Sequence, residues 1–186
     1  MSHNLRHRYR QETENARIAC VLVLLYPKDD AWHIVLIERQ SSNNPNDRHK
    51  GQIGFPGGGL EESDESLLHG ALREAWEEVG VPVDMVNVIG ALSELYIPVS
   101  NFMVYPFLGY ALERPDFIPQ PSEVRQILEV PLDVLRDPAS VQQADIAISK
   151  QIRLRDVPTF QVAGVTVWGA TAMMLNELLE MIDGRR

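Results

Sequence analysis

Three glutamates in the middle of the sequence have a spacing that suits metal binding. Glu74, Glu77 and Glu78 lie at positions i, i+3 and i+4, which in a helix places their carboxylates on one face. Carboxylates this close repel one another, so the cluster lowers helix stability unless a cation offsets the charge. Oxygen ligands without a matching His or Cys indicate Mg²⁺ or Mn²⁺ rather than Zn²⁺. The alternative interpretation is a solvated acidic helix face.

One arginine lies within reach of this cluster. Arg73 precedes Glu77 by one helical turn and follows Glu65 by two turns, so it could form an ion pair with either residue. In both arrangements the guanidinium would orient the carboxylates instead of cancelling their combined charge. The arginine therefore does not remove the need for a cation.

The segment that carries these residues is predicted to be an amphipathic helix preceded by a glycine cluster, Gly57–Gly59. Ser63 is the expected N-cap and Gly80 the expected stop. Between them, apolar side chains recur at helical spacing and are expected to face the core: Leu67, Leu68, Ala71, Leu72 and Ala75. The helix would thus present its carboxylates on one side and pack on the other.

These residues also complete a longer pattern. Its members are Gly59, Glu65 after five residues, Arg73-Glu74 after seven more, then Glu77-Glu78 and Gly80-Val81. This resembles the Nudix box, G-x5-E-x7-R-E-U-x-E-E-x-G-U, with Ala75 where the family usually has a bulkier apolar residue. The resemblance implies an enzyme that hydrolyses a nucleoside diphosphate linked to another moiety, with divalent cations held by the box helix.

The resemblance also implies roles for individual residues. Glu74, Glu77 and Glu78 would be metal ligands, and the backbone carbonyl of Gly58 would be a further one. Glu78 is the first candidate for the general base. Arg73 and Glu77 complete the expected catalytic group on the helix.

A segment directly before the box narrows the resemblance. Residues 35–40 (VLIERQ) and 49–58 (HKGQIGFPGG) are similar to a signature of the coenzyme A pyrophosphatase subgroup, L-L-x-x-R-S followed by H-x-G-Q-I-x-F-P-G-G. The later stretches SNFMVYPFLGY and WGATA resemble the same subgroup. The implied reaction splits coenzyme A or a derivative into 4′-phosphopantetheine and adenosine 3′,5′-bisphosphate.

Two other functions remain open at this stage. The spacer after Arg39 is longer than in the subgroup, which keeps another diphosphate substrate in view: ADP-ribose, a dinucleotide or a nucleoside triphosphate. A non-catalytic nucleotide-sensing module would keep the fold and lose the metal site. The intact cluster of Glu74, Glu77 and Glu78 argues against that module.

Several residues of the subgroup segment are candidates for contact with an anionic substrate. Arg39 and Arg48 offer bidentate hydrogen bonds to phosphate, although Arg48 also fits a solvated basic loop. His49 is the third candidate, and its alternative is a loop residue that only hydrogen-bonds. The remaining candidates are glycines, whose lack of a side chain lets the backbone approach phosphate closely: Gly57, Gly58 and Gly59.

One further carboxylate lies far from the box in sequence. Glu123 follows a proline-rich loop, residues 115–121, which is expected to bend over the mouth of the site. The family often takes a base or an additional metal ligand from such a loop, so Glu123 is the second candidate for the base, behind Glu78. The alternative is a structural cap for the segment that follows.

The elements that must position these residues follow from the apolar pattern. Residues 18–26 and 32–38 predict two buried strands, residues 82–96 and 101–112 predict further sheet, and residues 152–162 predict edge strands before a closing helix at WGATA. With the resemblance, the expected fold is α/β: a Nudix-type α/β/α sandwich with a mixed β-sheet. We expect one domain, residues 18–186, after a polar lead-in, residues 1–17.

Composition limits the classes of partner. The chain has 186 residues, 45% of them apolar, and a net charge of −9, which argues against a non-specific nucleic-acid or membrane-surface binder. No apolar run approaches the roughly 20 residues of a transmembrane helix, and residues 1–17 lack a signal-peptide core, so a cytoplasmic protein is expected. Cys20 is interpreted as a buried small hydrophobe. Apolar residues of the last helix are assigned to the core or to a dimer face, which leaves a homodimer open.

Overall fold

The computed structural model describes residues 15–40, 51–147 and 153–184. Its strands are β1 (Arg17–Lys28), β2 (Ala31–Arg39), β3 (Ile53–Gly54), β4 (Gly57–Gly59), β5 (Asn87–Ala91), β6 (Leu95–Ile97), β7 (Phe102–Tyr110), β8 (Val124–Pro131), β9 (Val141–Ala147), β10 (Arg153–Val162) and β11 (Val165–Val167). Its α-helices are α1 (Leu67–Val79), α2 (Leu132–Arg136) and α3 (Gly169–Ile182), with short 3₁₀ turns at Val83–Met85 and Pro138–Ser140.

The main sheet is mixed, as predicted. Strands β3, β2, β1, β7 and β5 follow one another across it, while β4 pairs with β1, β6 with β7 and β8 with β2. Strands β1 and β7 run parallel, whereas β1 and β2 run antiparallel. The parallel pairing allows a long connection to pass from β1 through α1 before the chain returns as β7.

Strands β1 and β2 form the buried centre of this sheet, which confirms the prediction from their apolar sequences. Successive side chains of a strand point to opposite faces, and both faces of β1 are covered. Leu22 and Leu24 belong to the same core cluster as Val79 of α1. Val23 belongs to a second cluster with Leu175 of α3. The sheet therefore lies between the two long helices, and the α/β/α sandwich is confirmed.

The strands predicted for residues 152–162 do not lie at the edge of the main sheet. They form a separate three-stranded sheet in the order β11-β10-β9. Phe160, Val162 and Val167 of this small sheet pack in the same cluster as α3. The small sheet and α3 together therefore cover one face of the main sheet, while α1 covers the other.

A gap opens between β1 and β2, and the site lies at this gap. The two strands pair directly only from Leu25 to Lys28 and from Ala31 to Ile34. Beyond these residues β4 pairs with β1 and β3 pairs with β2, so the segment from β3 to β4 fills the space between the diverging strands. The backbone N–H of Leu22 donates to the carbonyl of Pro56 at 2.9 Å, which fixes this segment to β1.

Helix α1 begins later than the sequence predicts. The N-cap is Ser66, whose Oγ accepts a hydrogen bond of 3.1 Å from the backbone N–H of His69, so the prediction of Ser63 was wrong. The side chain of Asp64 instead accepts the backbone N–H of residue 61 at 2.9 Å, which holds this stretch in a turn before the helix. The predicted stop is confirmed, because Gly80 is the C-cap with φ of +73°.

Several minor predictions have an outcome in the structure. Cys20 is fully buried, as predicted, and burial raises the pKa of its thiol to about 11. Met174 is buried in the core, whereas Met173 on the same helix is exposed. None of the helices in the described ranges is long and apolar enough to cross a membrane. Residues 1–14 of the expected lead-in lie outside the described residues, and the boundary at residue 17 stays a prediction.

Candidate metal and catalytic site

Three carboxylates meet at one end of the gap in the sheet. Glu74 and Glu78 come from α1, and Glu123 comes from the turn before β8. Each offers an oxygen atom that lies within 4.8 Å of the oxygens offered by the other two. Glu74 and Glu78 are buried, and Glu123 is exposed, so the group has one open side. Glu77 is not a member of this group.

Glu78 is the most buried carboxylate of the site. Its side chain has no exposed surface, and its two oxygens have separate partners. Arg39 Nη1 donates to Oε1 at 3.1 Å, and the backbone N–H of Gly57 donates to Oε2 at 2.7 Å. Burial raises the pKa of Glu78 to about 7, although Arg39 and the Gly57 N–H act in the opposite direction.

Arg39 lies at the end of β2 and joins the helix to the glycine segment. Besides its ion pair with Glu78, the same Nη1 donates to the carbonyl of Gly57 at 3.2 Å. The guanidinium is about one third exposed, with 35% of its side-chain surface accessible. Arg39 can therefore hold the buried carboxylate and still present N–H groups to an anion outside.

Glycine is required at the two positions of β4 that face the site. Gly57 has φ of +155°, and a side chain there would lie 2.6 Å from the Cα of Val21. A side chain at Gly58 would lie 2.6 Å from the carboxyl carbon of Glu74. Both glycines thus let the backbone pass directly over β1 and the glutamates, while a side chain at Gly59 would meet open space.

Burial also raises the pKa of Glu74, the second carboxylate of α1, against the opposing effect of Arg73. Arg73 Nη1 donates to Glu74 Oε1 at 3.1 Å. Burial of two glutamates on one helix lowers the stability of the metal-free protein, and a bound cation offsets this loss.

Arg73 fixes the outer part of the cluster. Its Nη1 donates to Glu77 Oε2 at 2.8 Å, which is the first of the two predicted pairings. The second partner is Asp64 and not Glu65: Nε and Nη2 of Arg73 donate to the two Asp64 oxygens at 2.9 and 3.0 Å. Of the two predicted alternatives, the pairing with Glu77 is therefore the one that the structure shows.

Asp64 is the site residue that sequence reasoning missed. Its side chain is fully buried and accepts hydrogen bonds from Arg73, from His69 and from a backbone N–H. The bonds from Arg73 hold the pKa of Asp64 well below its usual range. The box pattern pointed to the neighbouring glutamate, and only the turn that precedes α1 brings Asp64 inward.

The proline-rich loop is fastened to the end of α1, which brings Glu123 to the helix. The backbone N–H of Ile118 donates to the Val79 carbonyl at 2.9 Å, and that of Gln120 donates to the Glu78 carbonyl at 2.9 Å. The backbone N–H of residue 40 donates to the Glu123 carbonyl at 2.7 Å. These bonds satisfy helix-end carbonyls and tie the loop to β2 as well.

Two of the predicted substrate contacts, Arg48 and His49, lie outside the described residues. Arg39, Gly57 and Gly58 lie at the site, and Gly59 lies at its edge, where its carbonyl accepts a bond of 3.2 Å from Arg73. The site thus lies where four elements meet: the glycine segment β4 (Gly57–Gly59), β2, α1 and the turn before β8.

The donor set of Glu74, Glu78 and Glu123 fits a hard divalent cation. All three offer carboxylate oxygens, which Mg²⁺ and Mn²⁺ prefer, and the group contains no His or Cys. Glu77 stays bound to Arg73 and is half exposed, with 51% of its side-chain surface accessible. Its predicted role as a ligand therefore stays a prediction.

Comparison with known proteins identifies the family. The NUDIX domain model matches residues 16–151 of the chain. The chain is a member of the Nudix family. The resemblance drawn from the box residues is thereby confirmed, and the glutamates of α1 are the glutamates of that box. Members of this family act on nucleoside diphosphate derivatives, and the chain is accordingly a Nudix hydrolase.

Curated relatives support the same family. The chain is 36% identical over 138 residues to a protein of Pectobacterium atrosepticum named uncharacterized Nudix hydrolase NudL, a match that covers 74% of this chain and 70% of that one. It is 33% identical over 184 residues to the Citrobacter koseri protein of the same name, with 97% and 91% covered. These names give the family and leave the substrate unspecified.

Solved structures share the fold. The Nudix hydrolase RenU from M. smegmatis superposes with a TM-score of 0.61 at 20% identity, covering 91% of this chain and 87% of that one. The NUDIX domain of Shewanella oneidensis NrtR, solved with ADP ribose, gives a TM-score of 0.57 at 18% identity, with 98% and 99% covered. At these identities the likeness concerns the fold alone.

Proposed function

We propose that this Nudix hydrolase cleaves the diphosphate of coenzyme A or a derivative, releasing 4′-phosphopantetheine and adenosine 3′,5′-bisphosphate, with Mg²⁺ or Mn²⁺ as cofactor. The observation that carries the reaction type is the meeting of Glu74, Glu78 and Glu123 beside the glycine segment. The coenzyme A assignment is supported by the segment from Arg39 to Gly58, whose sequence resembles the subgroup signature.

Different residues of the site would have different roles in this reaction. Glu74 and Glu78 would hold the cation from the buried side, and a cation so held supplies charge neutralisation at the diphosphate and lowers the pKa of a water molecule. Arg39 would bind a phosphate oxygen, since its guanidinium is partly exposed beside the carboxylates. Arg73 would keep Glu74 and Glu77 in place, because Asp64 holds its guanidinium against both.

Two glutamates are candidates for the base that takes a proton from the attacking water. Glu78 is the first, because the family resemblance points to this residue of the box and its carboxylate lies within the cluster. Glu123 is the second, because it lies on the open side of the group and can reach a water molecule there. Variants of each, assayed with the same substrate, distinguish them.

The test of the proposed function is hydrolysis of a substrate panel with millimolar Mg²⁺ or Mn²⁺. The panel contains coenzyme A, acetyl-coenzyme A, ADP-ribose, NADH, a diadenosine polyphosphate and the nucleoside triphosphates, with products separated by chromatography. Preferential, metal-dependent release of adenosine 3′,5′-bisphosphate supports the proposal. Preferential cleavage of another member would leave the Nudix reaction in place and overturn the coenzyme A assignment. No cleavage with either metal would favour a nucleotide-sensing module.

A further inference from the structure

A cavity of about 250 Å³ adjoins the candidate site. Arg39 and Gly57 line one part of it, and these same residues bind the Glu78 carboxylate. The cavity extends from them toward the start of α3 and the turn before β7. Most of its wall is apolar and includes Val21, Phe55, Val104, Trp168, Ala170 and Met174. If a diphosphate binds at the glutamates, the group attached to it would therefore lie in this apolar cavity, next to the bond that is cleaved.

Two polar side chains of the cavity wall, Thr171 and Gln52, already have partners. Among the described lining residues, Thr171 donates its hydroxyl to the carbonyl of Ile53 at 3.0 Å. Arg39 lies at the end of the cavity next to the glutamates, where its remaining N–H groups would face the diphosphate. A sugar placed against the apolar part of the wall, away from Arg39, would leave hydroxyl groups without partners, which opposes binding. An aliphatic group has no such requirement.

The size of the cavity also suits an aliphatic group. An apolar cavity of about 150 Å³ is sufficient for benzene, so a larger one of the same character can hold a branched chain of several carbons. Burial of each additional methylene strengthens binding by up to about fourfold. Next to its phosphate ester, the pantetheine arm begins with a methylene and then a carbon that carries two methyl groups. The second moiety of ADP-ribose begins with a methylene attached to a hydroxylated sugar ring.

We propose that this cavity binds the aliphatic group attached to the substrate's diphosphate, and that it thereby selects a pantetheine-like arm over a sugar. The proposal rests on the proposed function for the diphosphate chemistry and adds where the second moiety binds and which of its groups the protein recognises. Arg39 and Gly57 belong to both places, so the diphosphate and the aliphatic group would be held by adjoining surfaces of one site.

The test uses adenosine diphosphate esters with simple alkyl groups on the second phosphate: methyl, butyl and hexyl. We expect kcat/KM to rise with chain length by up to about fourfold per methylene until the cavity is filled. Val99 lines the cavity and is 43% exposed, so Val99→Trp should fold and should lower the hexyl-to-methyl ratio of kcat/KM at least tenfold. Val88, on β5 and 41% exposed, is outside the lining, and Val88→Trp is the matched control.

The outcomes separate this inference from the proposed function. A flat chain-length series, or no turnover of the hexyl ester, would overturn the cavity proposal even if coenzyme A is hydrolysed. A rising series without hydrolysis of coenzyme A would support the cavity and overturn the coenzyme A assignment. Ala170→Leu fills the cavity from α3 and repeats the test if Val99→Trp does not fold, as judged by thermal unfolding. An equal loss of preference in Val88→Trp would show that the effect is not local to the cavity.

Discussion

Glu78 holds three parts of the molecule together at atomic scale. Its carboxylate receives one bond from the glycine segment and one from the end of β2, and its own helix supplies the backbone. A buried carboxylate of this kind carries a desolvation penalty that its two donors only partly offset. The arrangement favours binding of a cation over stability of the metal-free protein.

We therefore expect Glu78→Gln to lower turnover by roughly 10²–10⁴-fold with little change in the free energy of unfolding. The amide oxygen can still accept the Gly57 N–H, and the amide N–H₂ would face Arg39, which is partly exposed and can turn toward solvent. Loss of the charge also removes the desolvation penalty of the carboxylate. The measurements are kcat with Mg²⁺ and thermal unfolding in EDTA. Near wild-type turnover would remove Glu78 from the mechanism.

Asp64 is expected to matter through Arg73. Asp64→Asn replaces an acceptor oxygen with an N–H group that faces other donors, so we expect a loss of about 2 kcal/mol in the free energy of unfolding. Turnover should fall roughly tenfold or more, because Arg73 would no longer be held against Glu74 and Glu77. Denaturant titration and kcat measure the two effects.

A matched control for this variant is Asp133→Asn, at a side chain that is 82% exposed and bound to Arg136 only at 3.5 Å. It should change the free energy of unfolding by less than about 0.5 kcal/mol. Equal effects of the two substitutions would contradict the positioning role of Asp64.

The site residues differ in how far the sequence could reveal them. Glu74 and Glu78 follow from spacing on one helix, since a period of 3.6 residues places them on one face. Asp64 and Glu123 depend on a turn and on a loop fastened by backbone hydrogen bonds, and no local pattern encodes those contacts. Glu77 has the spacing of a ligand, and in the structure its carboxylate accepts a hydrogen bond from the same Arg73 Nη1 that binds Glu74.

At the scale of elements, the end of α1 determines the position of the loop that carries Glu123. Gly80 ends the helix in the left-handed conformation, and the loop after residue 115 passes directly over it. Backbone N–H groups of the loop then donate hydrogen bonds to the last carbonyls of the helix, which places Glu123 beside Glu78. The same backbone hydrogen bonds therefore satisfy the end of the helix and bring the carboxylates together.

Gly80→Ala is expected to reduce stability for two separable reasons. A non-glycine residue at φ of +73° costs about 1–2 kcal/mol, and the new methyl group would lie 3.2 Å from Cβ of Ile118. Gly164 has φ of +78° and open space around it, so Gly164→Ala measures the conformational cost alone. We expect Gly80→Ala to lose about 1 kcal/mol more than Gly164→Ala in denaturant titration. Equal losses would show that the loop moves away from the new methyl group with no loss in the free energy of unfolding.

Element types followed from the sequence more reliably than element boundaries or partners. The apolar runs of β1 and β2 identify buried strands because both faces need apolar side chains. The helix start was misplaced, since Ser63 and Ser66 are equally good caps and the turn at Asp64 decides between them. The small sheet of β9, β10 and β11 was missed because strand pairing is set by tertiary packing, which the alternation of residues 152–162 does not specify.

On the scale of the whole molecule, a partly buried ionic cluster joins β1 and β8 to the loop that leads to the site. Glu129 of β8 accepts hydrogen bonds from Tyr26 and Lys28 of β1, both at 3.1 Å. Arg114, at the start of the proline-rich loop, donates to both Glu129 oxygens at 2.8 and 2.9 Å. Because the same loop carries the backbone bonds to α1, the cluster connects core stability with the geometry of the carboxylates.

Burial alone would raise the pKa of Glu129, but the hydrogen bonds from Arg114, Lys28 and Tyr26 lower it to about 2. A carboxyl group with a depressed pKa in the folded state stabilises the protein above its unfolded pKa of about 4.3, and this contribution is lost as the pH falls toward 2. We therefore expect wild-type stability to decline between about pH 5 and pH 2, by an upper limit of about 3 kcal/mol from this residue.

Glu129→Gln tests this assignment, because it removes the titrating group and leaves the other carboxylates unchanged. The difference in free energy of unfolding between wild type and Glu129→Gln should be largest near neutral pH and shrink steadily below pH 5. Subtracting the two curves cancels the opposite contribution of Glu78, whose raised pKa favours the metal-free fold at low pH. A difference that stays constant from pH 7 to pH 2 would mean that the Glu129 charge does not stabilise the junction of strands and loop.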